Sequence, residues 1–290
     1  MPVISLDTLN RASKPDFVAA LGGVFEHSPW VAEAVVDRRP FASLAALHEA
    51  MKSVVRAKTD EEKLALLRIH PDLAGKAAQA GTMTAESKSE QGSAGLDHLS
   101  PAEFERFQKL NTAYAKKFNF PFIVCVRRHT KESIFRQFET RLTHGVAKEY
   151  ETALDEIFRI TALRLDQRVS APDRLSVHGF MDVHVIDIQR GVPAKGLRVE
   201  LYEVSGNGMH GLAKVAVNAQ GVTAPFFEDR PIPIGQYELR FAVGDYFGKG
   251  GGDPAFLDTV PVKFFVAEAE GHYHIPLRIT SSMYTVYRGW

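Results

Sequence analysis

Residues Leu64 to Leu96 read LALLRIHPDLAGKAAQAGTMTAESKSEQGSAGL. The apolar run Leu64, Leu66, Leu67, Ile69 has a helical period and stops at His70, because Pro71 disfavours the α conformation before it and donates no hydrogen bond. His70 therefore sits where a helix ends. After an Ala- and Gly-rich segment, Ser87-Lys-Ser-Glu90-Gln91 leads into the small residues Gly92 to Gly95, which let backbone approach backbone or a ligand closely. The stretch puts an imidazole, a carboxylate, an amide and a hydroxyl at element ends, which is the equipment of acid/base chemistry. A purely architectural reading stands beside it. Ser87 and Glu90 have capping-box spacing, and a histidine before proline can be a cation complementing a helix dipole.

The rest of the chain bounds the answer. With 290 residues, the expectation is two domains, each able to bury its own core. A composition 45% hydrophobic and 24% charged is that of an ordinary globular protein. Lys+Arg and Asp+Glu number 35 each, which gives no electrostatic case for nucleic acid or an anionic membrane. A single cysteine, Cys125, excludes an intrachain disulfide and fits a reducing compartment. No apolar run long enough to span a bilayer and no basic-then-apolar leader is present. The expected localisation is cytoplasmic.

Working outward, residues 1–169 carry helical periodicity almost throughout. Helix starts are expected near Leu6 and Lys14, and apolar residues recur at helical intervals in 29–36, 43–55, 60–69, 100–118, 131–142 and 149–165. Asn119 to Val126 reads as an extended apolar stretch containing Pro121. Arg159 and Arg164 on the last helix are expected as solvated or snorkelling cations. The first half is thus expected to be an all-α domain. Residues 170–175, with Pro172, are expected to be a linker. From 176 to 290 the period changes to two, in seven or eight short strands separated by turns, which argues for an all-β sandwich.

His-Pro-Asp-Leu at 70–73, Ser-x-x-Glu-Gln at 87–91, Ala-Gly-Leu at 94–96, Phe-Pro-Phe-Ile at 120–123 and Arg-Leu at 164–165 resemble the 2-oxo-4-hydroxy-4-carboxy-5-ureidoimidazoline (OHCU) decarboxylases of urate breakdown. The resemblance implies an all-α, cofactor-free enzyme, with no metal, that converts OHCU to S-allantoin. It implies His70 and Glu90 as catalytic residues. Pro71, Ser87, Gln91, Phe122, Ile123, Val124 and Arg164 would bind substrate. Arg164 is then a clamp for the substrate carboxylate, with Arg141 as a substitute.

The second half resembles the transthyretin-like 5-hydroxyisourate (HIU) hydrolases in Val183-His-Val-Ile-Asp187, Leu197 to Leu201, Asn218-Ala-Gln-Gly221, His272-Tyr-His-Ile-Pro276 and Tyr287-Arg-Gly289. That family supplies OHCU from HIU. The resemblance implies His184 and His274 as catalytic, His272 and Arg288 as substrate-binding, and a homo-oligomer, a tetramer built through this domain. Two departures stand out. Val222 occupies a position where the family has arginine, and Trp290 ends the chain where the family has a small hydroxyl residue, so that an indole is expected to fill part of the pocket. Two other readings remain open: a β domain that only binds or oligomerises, and a zinc hydrolase built on His184, His272 and His274, which strand periodicity puts on one face.

Overall fold

The computed structural model describes residues 3–75, 83–206, 208–248 and 255–289. The chain divides into two compact units, Met1–Arg127 with Ile134–Val177, and Arg128–Ser133 with His178–Trp290.

The first unit is helical. Its helices Leu6–Arg11, Lys14–Leu21, Leu44–Arg56, Asp60–Arg68 and Pro101–Phe118 each begin behind a Ser or Thr whose side chain accepts an N–H of the first turn. Thr59 with Glu62 and Ser100 with Glu103 are complete capping boxes. In Leu44–Arg56 the buried positions Leu44, Leu47, His48, Met51, Val54 and Val55 follow the 3.6-residue period and turn one stripe inward. An aromatic group of Phe107, Tyr114, Phe122, Phe135 and Phe138 is buried at the middle of the unit. Phe122 stacks on Phe138 with centroids 3.6 Å apart. Each such ring is worth on the order of 2–3 kcal/mol of apolar burial.

Strict all-α character fails at one point. β1 (Ile4–Ser5) pairs in parallel with β2 (Val169–Ser170), directly after the long Val146–Arg168 helix. Nor is 170–175 a free linker. The Asp173 carboxylate accepts from the Leu44 and Ala45 amides, and Asp166 accepts from the Leu175 amide. These bonds tie the segment to the helical unit through Val177.

The second unit is two sheets. One has the order β11 (Tyr284–Val286), β10 (His272–Ile279), β3 (Gly179–Asp187), β4 (Val192–Pro193), with β7 (Phe227–Arg230) also on β3. The other runs β6 (Gly208–Ala216), β5 (Arg198–Ser205), β8 (Gly235–Ala242), β9 (Thr259–Val266). β10 and β3 are parallel, and the other strand pairs of both sheets are antiparallel. Burial along β3 alternates residue by residue, so Met181, Val183 and Val185 enter the core with Leu239, Phe241, Ile275 and Leu277. Asp182 and His184 turn the other way. One six-residue helix, Val243–Gly248, interrupts the all-β pattern. Residues 128–133 also belong here: Arg128 makes a two-point ion pair with Glu270, and Thr130 both donates to and, through its hydroxyl, bonds the Ile234 carbonyl. Among the described residues no helix is long and apolar enough to cross a membrane.

Candidate functional site

The first unit holds a small cavity of about 40 Å³ lined by His70, Pro71, Leu73, Ser87, Glu90, Gln91, Phe122, Ile123, Val124, Val126, Ile160 and Arg164. Every residue expected for the decarboxylase site lines it.

His70 lies just beyond the Asp60–Arg68 helix, whose last turn still reaches it: Nδ1 sits 2.9 Å from the Leu66 carbonyl. A carbonyl only accepts, so Nδ1 carries the proton and Nε2 is left as the acceptor. Burial pushes the imidazole down to about 4, against the opposing pull of the Leu66 carbonyl and the Glu26 carboxylate. The ring is therefore neutral near pH 7, with Nε2 free to accept a proton.

Ser87, Glu90 and Gln91 lie on the Ala85–Gly92 helix at i, i+3 and i+4, so one face presents all three. Thr84, not Ser87, caps this helix by accepting from the Ser87 amide at 3.2 Å. The capping-box expectation for Ser87 and Glu90 is corrected, and both side chains are released for the site. Gln91 Oε1 accepts from the Ala74 amide, holding the chain that follows Pro71.

Arg164 is not the solvated cation that its helix position suggested. It is 5% exposed and sits between two carboxylates. Nε and Nη2 donate to Glu90 at 2.7 and 2.8 Å, Nη1 donates to Glu26 at 2.8 Å, and Nη2 is 3.4 Å from the Ser87 hydroxyl. Burial opposes its charge, but Glu90 and Glu26 outweigh that and hold the guanidinium more firmly protonated. Of its five N–H groups one, on Nη1, is left without one of these partners, so Arg164 cannot offer a two-point fork to a substrate carboxylate while both glutamates hold it. Arg159 is half-exposed and pairs with Glu156.

Glu26 is the residue that the sequence did not reveal. Buried, it accepts from Thr84 at 2.8 Å, Ser87 at 3.1 Å and Arg164. Burial raises its carboxyl, yet Arg164 and Thr84 overcome this and hold it below the ordinary range. No motif surrounds it, since its partners arrive from 58 to 138 positions away.

The Phe122–Cys125 wall forms no strand, because side chains take its backbone groups, and Val126 already opens a short 3-10 turn, Val126–Arg128. Arg141 Nη1 donates to the Ile123 carbonyl at 2.7 Å, and Glu156 accepts from the Cys125 amide at 2.7 Å. Arg141 is itself 2% exposed and paired with Glu149, which also bonds Tyr114 and His144. It supports the wall from behind and does not line the cavity, so it is no substitute clamp.

In the second unit Asp182, His184, His272 and His274 share the outward face of β3 and β10. His274 Nδ1 is 2.7 Å from Asp182 Oδ1, and the His274 ring lies 6.0 Å from His184 and 6.4 Å from His272. Gly221 (φ +89°) backs His184, and a Cβ there would stand 2.9 Å from its ring. Val222 pairs across a bridge with His184, placing an apolar side chain where a guanidinium was expected. Arg288 is exposed, donates to the His272 carbonyl and covers Tyr273. Trp290 lies outside the described residues. Among the described residues no group of three His, Cys, Asp or Glu is placed to hold a metal ion. His274 spends Nδ1 on Asp182 and keeps Nε2 open, an arrangement that by itself does not decide against a metal ligand.

Residues 10–166 match the family model described as OHCU decarboxylase, and residues 181–289 match the HIUase/Transthyretin family. A Halalkalicoccus jeotgali 2-oxo-4-hydroxy-4-carboxy-5-ureidoimidazoline decarboxylase is 44% identical over 58% of this chain and 93% of its own length. The Bacillus subtilis uric acid degradation bifunctional protein PucL is 39% identical over 56% of this chain and 32% of its own. A crystal structure of (S)-allantoin synthase, 30% identical, covers 99% of this chain and all of its own, with a TM-score of 0.54. The chain belongs to the OHCU decarboxylase family, joined in one polypeptide to a domain of the HIUase/transthyretin family.

Proposed function

We propose that the chain catalyses two consecutive steps of urate breakdown: the second unit adds water to HIU to give OHCU, and the first removes carbon dioxide from OHCU to give S-allantoin. The observation that carries this reading is the meeting of His70, Ser87, Glu90, Gln91 and Arg164 around one cavity against the Phe122–Val124 wall.

Decarboxylation breaks the bond between the carboxylate and its ring carbon. The bonding pair passes into the conjugated ring, so the substrate is its own electron sink. The ring nitrogen that takes up the pair gains a proton from solvent, the hydroxyl on that carbon loses its proton as a ring carbonyl forms, and a proton is delivered to one face of the neighbouring carbon. His70 Nε2 is the base for that hydroxyl and the donor for that carbon. Glu90, held by Arg164, accepts from ureido or ring N–H groups, while Ser87, Gln91 and main-chain groups of Phe122 to Val124 bind the remaining polar edges. Pro71 shapes the floor beside His70. Positioning and a preformed electrostatic environment supply the rate, with no cofactor in the proposed path.

In the second unit His184 and His274 handle the protons of hydrolysis, with His272 and Arg288 as substrate contacts. The apolar groove of Val262, Phe264, Phe265, Tyr273, Ile275, Val286 and Tyr287 supports a homo-oligomer, a tetramer, formed through this domain. The buried free thiol of Cys125 suits a cytoplasmic setting.

The test is to generate HIU from urate and follow its absorbance together with the optical rotation of allantoin. The full chain removes HIU faster than the spontaneous rate and yields one enantiomer. His70→Asn still consumes HIU but lowers OHCU turnover about a hundredfold or more, while His274→Asn does the reverse. HIU decay at the spontaneous rate, or racemic allantoin, rejects the corresponding step.

A further inference from the structure

The reading of the second unit leaves one group unused. Asp182 stands directly opposite His274 in the parallel β3–β10 pair, and its Oδ1 lies 2.7 Å from His274 Nδ1. Both side chains are largely shielded, at 15% and 24% exposure. The other side of the ring is closed by Gly289, whose amide donates to the His274 carbonyl at 2.7 Å and whose Cα leaves no room for a side chain: a Cβ would stand 2.7 Å from His274 Cδ2. The imidazole is thus fixed in plane and rotation, and the single freedom left is which nitrogen carries the proton. An ionised carboxylate only accepts, so Nδ1–H is selected and Nε2 keeps its lone pair. Across from it the His184 ring lies 6.0 Å away, with Val222 as its bridge partner in place of a cation.

We propose that Asp182 is a positioning residue for hydrolysis: it locks His274 in the Nδ1–H tautomer so that Nε2 takes a proton from the attacking water. This rests on the hydrolase reading above. The water oxygen bonds to the ring amide carbon of HIU, the carbon–nitrogen bond breaks, and the proton held on Nε2 passes to the departing nitrogen, so one water is added and no electrons are exchanged. With no arginine at 222 to polarise that carbonyl, activation of the water carries more of the rate.

The experiment uses the full chain with ¹⁵N-labelled histidine. Long-range proton–nitrogen spectra of the wild type, without substrate, show His274 as the Nδ1–H tautomer, and Asp182→Ala shifts it towards Nε2–H. In HIU turnover Asp182→Ala lowers kcat about a hundredfold with KM changed less than about threefold. Asp182→Asn keeps the shape of the pair and tests it if the alanine variant does not fold. An Nε2–H ring in the wild type, or an unchanged kcat in a folded variant, overturns the proposal. The tautomer is read without substrate, so a wild type that leaves HIU at its spontaneous rate rejects hydrolysis separately from the Asp182–His274 pairing.

Discussion

Arg164 and Glu90 meet edge to edge, Nε on Oε1 at 2.7 Å and Nη2 on Oε2 at 2.8 Å, while the far side of the same guanidinium is held by Glu26. The arginine orients the Glu90 carboxylate, for which a catalytic role is proposed, and a second carboxylate balances it from behind. Two negative groups on one positive one leave the site short of positive charge for an anionic substrate.

Glu26→Gln removes the rear charge while keeping the shape. We expect a loss of about 2 kcal/mol in urea unfolding: Arg164 keeps Glu90, but the hydrogen bonds that Arg164, Thr84 and Ser87 make to Glu26 lose their charge. OHCU turnover falls at least about tenfold because Arg164 and Ser87 lose a shared anchor. Unchanged unfolding midpoint and kcat together contradict the arrangement.

Acid should act on two imidazoles, the buried His48 and the half-buried His70. Burial pushes His70 and His48 each down to about 4. Between that value and the ordinary range near 6.5 the unfolded chain binds more protons than the folded one, so stability is complete above the window and declines as pH falls through it. His48→Gln makes that decline shallower in denaturation curves taken from pH 7.5 to 4.5. The same depression predicts that kcat/KM for OHCU stays flat down to about pH 5, and an acid limb centred near 6.5 speaks against His70 as the neutral base.

The cavity wall offers a third handle. Arg141→Met leaves the Ile123 carbonyl and the Glu149 carboxylate without their cation. We expect KM for OHCU to rise more than kcat falls, with a stability loss of about 3 kcal/mol. Glu156→Gln retains an oxygen for the Cys125 amide and should perturb KM far less; equal effects of the two would mean that the wall is not held as described.

Local chemistry made much of the site legible. Pro71 fixes where the helix before His70 must stop, and the i, i+3, i+4 spacing of Ser87, Glu90 and Gln91 puts them on one face whichever role they play. The same spacing also permits a capping box, and only Thr84, three residues ahead of Ser87, decides against it. Arg164 could not be told from a surface cation because its burial depends on Glu26, an acid more than a hundred positions away with no motif around it. The β1–β2 pair escaped for a related reason, being two residues at each end with partners 165 positions apart. In the β unit the period of two gave the strands and the histidine face. The Asp182–His274 contact needed the parallel register, which no local pattern encodes.

The six residues Arg128–Ser133 count with the sheets although helical sequence flanks them on both sides. Cutting the gene between Val177 and His178 would therefore not release an intact hydrolase: Glu270 would lose its guanidinium, and the Ile234 carbonyl its Thr130 donors. Dissection of the two activities is better done by point substitution in the undivided polypeptide, or by a graft that carries 128–133 along with the severed half.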